Sequence, residues 1–255
     1  MSAKIAVPVF PGTNSEDETV RLLRDCGGGA ELVHWSDAER LGAYDAYVLS
    51  GGFAYEDRIR AGAIAAHDRI MDFVADAAER GKLVFGICNG AQILLEAGLV
   101  PGTSAGRKPT AAFAKNAPEP HFICRHVYMR LAVEPSRSAI TAALPKDALV
   151  PAWAAHAEGR LAATPQRLNE IVAGDHLAFV YAHAGGSVDD AAVPNGSALG
   201  CAGLVNRAGN VLAIMPHPER DGWNFNHPDR CEGTDVLAPS GGAALFRSFV
   251  LAVSS

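Results

Sequence analysis

Cysteine is scarce in this 255-residue chain, and no apolar run is long. The five cysteines (Cys26, Cys88, Cys124, Cys201 and Cys231) are odd in number, scattered, and never form a Cys-x-x-Cys pair. That pattern argues against a disulfide framework or a cysteine-based zinc site and suits a reducing, cytoplasmic setting. No metal-ligand set is expected. No stretch reaches the roughly 20 apolar residues that a membrane-spanning helix requires. The opening residues, Met1-Ser-Ala-Lys-Ile5, lack the apolar block of a secretory leader. A surplus of positive charge is missing too: 22 Lys and Arg stand against 28 Asp and Glu, a net charge of −6. Neither nucleic acid nor an anionic membrane is therefore an expected partner. The nearest thing to a phosphate-cradling loop, Gly102-Thr-Ser-Ala-Gly-Arg-Lys108, runs into Pro109 and has the wrong spacing.

What is present is ordinary globular material, 49% hydrophobic and 20% charged, enough for one large domain over residues 1–255. Residues 4–10 read as a buried first strand that turns at Pro11-Gly12. Asn14 or Ser15 then caps a helix with Glu16, Asp17 and Glu18 in its first turn. Val20, Leu22, Leu23 and Cys26 give that helix its apolar face, and Gly27-Gly-Gly29 ends it. Strands are expected at residues 31–35 and 46–50, a long helix at 61–79, and a strand from Gly81 to Cys88. This alternation predicts an α/β fold with a mainly parallel open sheet flanked by helices. Runs at 122–131, 177–181, 199–205 and 211–215 are expected to extend or edge the same sheet. Residues 220–242 read as a long polar loop, and 243–252 as a closing helix.

Three segments carry chemistry. In Val84-Phe-Gly-Ile-Cys-Asn-Gly-Ala-Gln92 an apolar run ends in Cys88 between Gly86 and Gly90, and a helix follows at once. That layout resembles a nucleophile elbow, in which a sharp strand-to-helix turn lifts a side chain to the open end of a sheet. The unpaired N–H groups at the helix start favour an anionic sulfur. In Met215-Pro-His-Pro-Glu-Arg220, continued extended backbone would place His217 and Glu219 on one face. A carboxylate beside a histidine fixes its tautomer and stabilises the imidazolium, so the ring can take a proton from a cysteine and pass it on. In Leu49-Ser-Gly-Gly-Phe-Ala-Tyr55, Gly51 and Gly52 at a strand's carboxyl end can turn backbone N–H groups into a crevice. With the N–H of Asn89 they could hold an oxyanion. Gln92, one turn beyond Cys88, is placed to help bind substrate.

Together these segments resemble the class I (triad) glutamine amidotransferases, whose fold is a flavodoxin-like sheet with added β segments. Further wording points within that class. Phe10-Pro-Gly-Thr-Asn14, Gly51-Gly-Phe-Ala-Tyr-Glu-Asp57, Arg60-Ala-Gly-Ala-Ile64, Gly86-Ile-Cys-Asn-Gly90, Phe122-Ile-Cys-Arg125, Pro194-Asn-Gly-Ser197 and Met215-Pro-His-Pro-Glu-Arg220 resemble the glutaminase subunits of phosphoribosylformylglycinamidine synthase. The likeness spans residues 4–220. The sequence departs from the family pattern with Ala91, with Glu56 and Ala157 where glycine is usual, and with His126 where an aromatic is usual.

The resemblance implies that Cys88 attacks the side-chain amide of glutamine, with His217 as base and Glu219 orienting it. The ammonia released would serve de novo purine biosynthesis. Its consumer would be a large ATP-dependent synthetase that converts formylglycinamide ribonucleotide to formylglycinamidine ribonucleotide, in some systems with a small third subunit. No cofactor is expected on this chain; ATP and Mg belong to the synthetase. Phe122, Arg125 and Asn195 are candidates for the pocket or the docking face. His156 and Glu158 repeat the His-x-Glu spacing but are read as a loop without a leading strand. Two other readings remain open: another class I glutaminase or cysteine hydrolase serving a different acceptor, and a non-catalytic glutamine or redox sensor built on Cys88.

Overall fold

A computed structural model describes residues 3–104, 106–229 and 233–255. The chain runs β1 (Lys4–Val9), α1 (Glu16–Asp25), β2 (Gly29–His34), β3 (Ala46–Leu49), α2 (Arg69–Glu79), β4 (Leu83–Ile87) and α3 (Asn89–Glu96). It continues through β5 (Ala112–Ala114), β6 (Ile123–Leu131), β7 (Leu149–His156), β8 (Arg160–Ala162), α4 (Pro165–Ala173), β9 (Leu177–Ala182), β10 (Cys201–Val205), β11 (Val211–Ile214) and α5 (Ala243–Ser254). Strands β3, β4 and β11 are buried at every position, as unbroken apolar runs must be when helices cover both faces of a sheet.

Nine strands form one sheet in the order β2-β1-β3-β4-β11-β10-β9-β6-β7, and β5 pairs with β8 apart from it. The first five are parallel to one another. The added strands β10, β9, β6 and β7 continue the sheet in antiparallel fashion. The expected mainly parallel sheet is present, and the later runs extend it. Strand β7 and helix α4 were not anticipated from the sequence. The helix expected over residues 61–79 is shorter: Asp68 has extended backbone and its carboxylate accepts the Ile70 N–H at 2.9 Å, so α2 starts only at Arg69. Ser15 stands at the start of α1, but its hydroxyl caps no helix amide.

Register places the site. Leu49 lies opposite Gly86, and Ile87 opposite Ile214. The carboxyl ends of β3, β4 and β11 therefore finish level, about 4.8 Å apart, and the segments carrying Gly51, Cys88 and His217 leave the sheet side by side. Below them Phe85 packs on Phe246 and Phe249 of α5, with ring centroids 5.7 and 5.9 Å away.

Candidate active site

The elbow owes its shape to two close approaches. A Cβ on Gly90 would lie 2.0 Å from the Leu49 carbonyl oxygen, and one on Gly86 would lie 2.8 Å from the Gly90 carbonyl oxygen. Only glycine lets α3 start this close to the sheet. Between them Cys88 adopts φ 52° and ψ −108°, a conformation L-residues avoid. Such strain persists where the surroundings enforce it, typically at a functional turn. The Cys88 N–H donates to Ile214 O at 2.8 Å, and its Sγ lies 3.8 Å from the Ala155 carbonyl. Cys88 is buried at the N-terminus of α3.

His217 and Glu219 meet as expected, but not by extended backbone. Residues Pro218–Asp221 form a 3-10 turn directly after His217. The turn folds Glu219 back so that its Oε1 accepts from His217 Nδ1 at 2.5 Å, both side chains being buried. The proline at the first turn position fits a helical start better than a strand. Two backbone bonds to Trp153 of β7, at 2.8 and 3.1 Å, hold His217 in place. Burial alone would pull the His217 pKa down, but Glu219 and Cys88 outweigh it and raise it to about 10. With Nδ1 engaged by Glu219, Nε2 is left for the sulfur. Gly51 touches this ring: a Cβ there would sit 2.5 Å from His217 Cε1.

A cavity of about 90 Å³ opens beside the sulfur, lined by Gly52, Phe53, Asp57, Cys88, Gln92, Ala155, His156, Ala157 and Glu158. The Phe53 N–H donates to Gly12 O at 2.8 Å. The Gly52 and Asn89 N–H groups bond to nothing among the described residues. The Asn89 side chain organises the wall: its Oδ1 accepts the Ala54 N–H at 2.9 Å, and its Nδ2 donates to Asp57 at 3.0 Å and to Gln92 Oε1 at 2.9 Å. Gln92 in turn donates to the Glu158 carbonyl at 2.5 Å. It is a buried strut of the cavity.

Two cavity residues escaped the sequence reading. Asp57 ends a run of positive φ values at Tyr55, Glu56 and Asp57 (55°, 59° and 51°). Glycine adopts that conformation freely, and Glu56 is where the family pattern has glycine. Burial, with Glu158 adding to it against the Asn89 hydrogen bond, pushes Asp57 up to about 6. The signal was available, since Asp57 belongs to the Gly51–Asp57 motif. His156 is the second. A strand, β7, does lead into it, contrary to expectation, yet it forms no pair with Glu158. Its Nδ1 meets Asn116 Oδ1 at 3.2 Å, and Glu158 instead accepts the Ala61 N–H at 3.2 Å. Burial and the neighbouring His217 push His156 down to about 3.

The candidate pocket residues fall outside the cavity wall. Phe122 and Arg125 are exposed at the start of β6. Asn195 is buried behind the wall, donating to Gly159 O at 2.8 Å and accepting the Ser197 N–H at 3.1 Å. It shapes the loop after His156 from the rear. Cys201 is in the core, its thiol pushed up by burial to about 12, and Cys26 is half-buried against it. Cys231, expected in an exposed loop, lies outside the described residues.

Comparison with known proteins agrees with this geometry. Residues 2–251 match the family described as CobB/CobQ-like glutamine amidotransferase domain. The phosphoribosylformylglycinamidine synthase subunit PurQ of Pyrococcus furiosus is 42% identical over 87% of this chain and 91% of its own length. The corresponding subunit of Symbiobacterium thermophilum is 39% identical over 97% and 95%. A chain in the structure of PurLQS from Thermotoga maritima superposes with a TM-score of 0.76 at 30% identity, covering 98% of this chain and 99% of that one. The glutaminase domain of Trypanosoma brucei CTPS, at 15% identity and a TM-score of 0.59, shares the fold. The chain thus belongs to the CobB/CobQ-like glutamine amidotransferases, among the PurQ subunits of phosphoribosylformylglycinamidine synthase.

Proposed function

We propose that the chain hydrolyses glutamine to glutamate and delivers the ammonia to a partner synthetase making formylglycinamidine ribonucleotide in purine biosynthesis. One observation carries the reading: Cys88 on a strained elbow beside a buried His217–Glu219 pair. The Cys88 sulfur attacks the side-chain carboxamide carbon of glutamine, and its proton resides on His217 Nε2. The N–H groups of Gly52 and Asn89 receive the oxyanion, each worth about 2.7–4 kcal/mol of barrier when well placed. The C–N bond breaks as His217 gives its proton to the departing nitrogen, leaving a glutamyl thioester on Cys88. Water then adds to the thioester, losing a proton to His217; the sulfur leaves and glutamate is free.

Asp57 and Glu158, acidic groups in the cavity wall, fit the α-ammonium of glutamine, and Gln92 keeps that wall in place. Residues 1–255 act as one glutaminase domain, a reading supported by a single hydrophobic cluster from Ile5 to Val250. The reaction uses no metal or organic cofactor on this chain. ATP and Mg belong to the large synthetase, and a small third subunit fits the PurLQS assembly of the Thermotoga relative. Work in the cytoplasm fits a biosynthetic enzyme with a free nucleophilic thiol.

An electrophilic glutamine analogue, incubated with the chain alone and with the synthetase, tests this by intact mass. One adduct on Cys88, blocked by glutamine and absent in Cys88→Ala, is expected. No adduct under either condition, with the thiol reduced and the complex formed, would leave a sensor as the better reading. A sensor would also keep its oxidation response in His217→Ala, whereas a glutaminase loses turnover.

A further inference from the structure

Outside the glutaminase site, three side chains from separate segments converge: His126 in mid-β6, Asp221 at the end of the turn Pro218–Asp221, and His227 just past the turn Asn224–Asn226. One donor atom of each lies within 4.8 Å of the other two. We propose that they bind one divalent cation of the zinc class, which pins residues 222–229 to the turn carrying Glu219. The proposal is independent of the glutaminase reading.

Asp221 is fully buried. Its Oδ2 accepts from His126 Nε2 at 2.6 Å and its Oδ1 accepts from the Ser240 hydroxyl. Among the described residues no lysine or arginine pairs with it. A buried carboxylate with so little positive charge opposite is costly, and a divalent ion supplies that charge. Two imidazoles and one carboxylate suit zinc and its neighbours, whereas calcium and magnesium prefer all-oxygen shells.

The His126 ring is boxed by Tyr128, Trp153 and His227, with centroids 5.1, 5.4 and 5.1 Å away. Ser240 orients the carboxylate as an outer partner does in metal sites. Bonds of about 2.0–2.2 Å in tetrahedral geometry set donors roughly 3.4 Å apart, so the 2.6 Å His126–Asp221 contact must open by under about 1 Å. The ion takes the place of the His126 Nε2–H, whose proton moves to Nδ1 or to solvent. His227 Nδ1 accepts the Asp229 N–H at 3.2 Å; metal binding gives up that bond, because the ligating imidazole either carries its proton on Nδ1 or spends the Nδ1 lone pair on the ion. Water completes the fourth position. Asp221 follows Glu219 by two residues, and Trp153 both packs on His126 and holds the His217 backbone. The ion would therefore stiffen the frame behind the dyad without touching the reacting atoms.

The test uses the full chain, stripped with a chelator, in the Cys88→Ala background so that the nucleophilic thiol cannot compete. Zn²⁺ is titrated by calorimetry and Co²⁺ by visible absorption. One equivalent per chain is expected, with a cobalt spectrum of low coordination number and no thiolate charge-transfer band. Affinity should fall at least about tenfold in His227→Ala and in His126→Phe. It should be unchanged in His183→Ala, which breaks the exposed His183–Asp189 pair. Zinc should also slow proteolysis within residues 222–229. His227→Ala decides the matter should His126→Phe not fold, because His227 sits in a half-exposed loop. Absence of saturable one-to-one binding, a thiolate band, or equal affinity in His227→Ala would overturn the proposal.

Discussion

Gly51→Ala should separate catalysis from folding. A Cβ at this position lies 2.5 Å from His217 Cε1, 3.3 Å from His217 Nδ1 and 3.0 Å from Ser15 Oγ. Ordinary carbon contacts need about 3.5–4.0 Å, so one side must retreat by about 1 Å. The Gly51 backbone is held by the Asn14 and Ser15 N–H groups, both donating to its carbonyl at 3.1 and 3.2 Å. The ring is the softer partner, and its retreat stretches the bond to Glu219 and misaims Nε2. A displacement of about 1 Å costs on the order of 100-fold in rate, or about 2.7 kcal/mol of barrier. The accompanying strain costs about 1–3 kcal/mol of stability. Glutamate release at saturating glutamine, in the reconstituted complex, should show kcat falling about 100-fold with KM little changed. Gly42→Ala is the control, since a Cβ there meets nothing within 4 Å. Wild-type kcat in Gly51→Ala, with an unaltered pH profile, would refute the claim that the Gly51 approach holds the His217 ring.

Gly90→Ala places a Cβ 2.0 Å from the Leu49 carbonyl oxygen, backbone that cannot swing away. A loss of about 3 kcal/mol is expected, read from the urea midpoint; an unchanged midpoint would show that α3 can shift freely. Glu219→Gln keeps the shape but removes the charge that raises His217. Turnover should drop on the order of 10²–10⁴-fold, and the His217 titration, followed by NMR, should move down; a variant with full turnover would detach Glu219 from the mechanism. His156 has a folded pKa of about 3 against an ordinary 6.5, so between those values the unfolded chain binds more protons. Its contribution is complete above pH 6.5 and is lost as pH falls towards 3, by about 1.4 kcal/mol per pH unit at most. His217, shifted upward, acts only above pH 6.5. Asp57, pushed up to about 6, works against His156 below that value. The difference between wild type and His156→Gln isolates the group: the variant's stability deficit at pH 7 should shrink by about 2 kcal/mol at pH 5. A deficit independent of pH would refute it.

Local signals read well where one segment decides its own conformation. The apolar runs at β1, β3, β4 and β11, the Gly-flanked elbow and the polar loop after Arg220 were all legible. Strand β7 was not, because Leu149–His156 alternates little and contains Pro151, three alanines and one tryptophan, so its strand character comes from pairing with β6. Helix α2 was read too long because the Asp68 cap competes with an equally plausible helical run before it. The face shared by His217 and Glu219 was foreseen for the wrong reason. Two-residue spacing suggested a strand, whereas the chain makes a 3-10 turn.

By itself the sequence determined the chemistry on offer: one cysteine in an elbow, one histidine beside a carboxylate, glycines where backbones must approach. These are properties of short segments, governed by sterics and charge within a few residues. The tertiary structure alone decided which groups meet. It brought Asp57 and His156 into the wall beside Cys88 and set Asn195 behind it. It left Phe122 and Arg125 on the surface, and gathered His126, Asp221 and His227 from across roughly a hundred residues. Such meetings depend on strand register and on the order of strands in the sheet, quantities set by the packing of the whole core and encoded in no single segment.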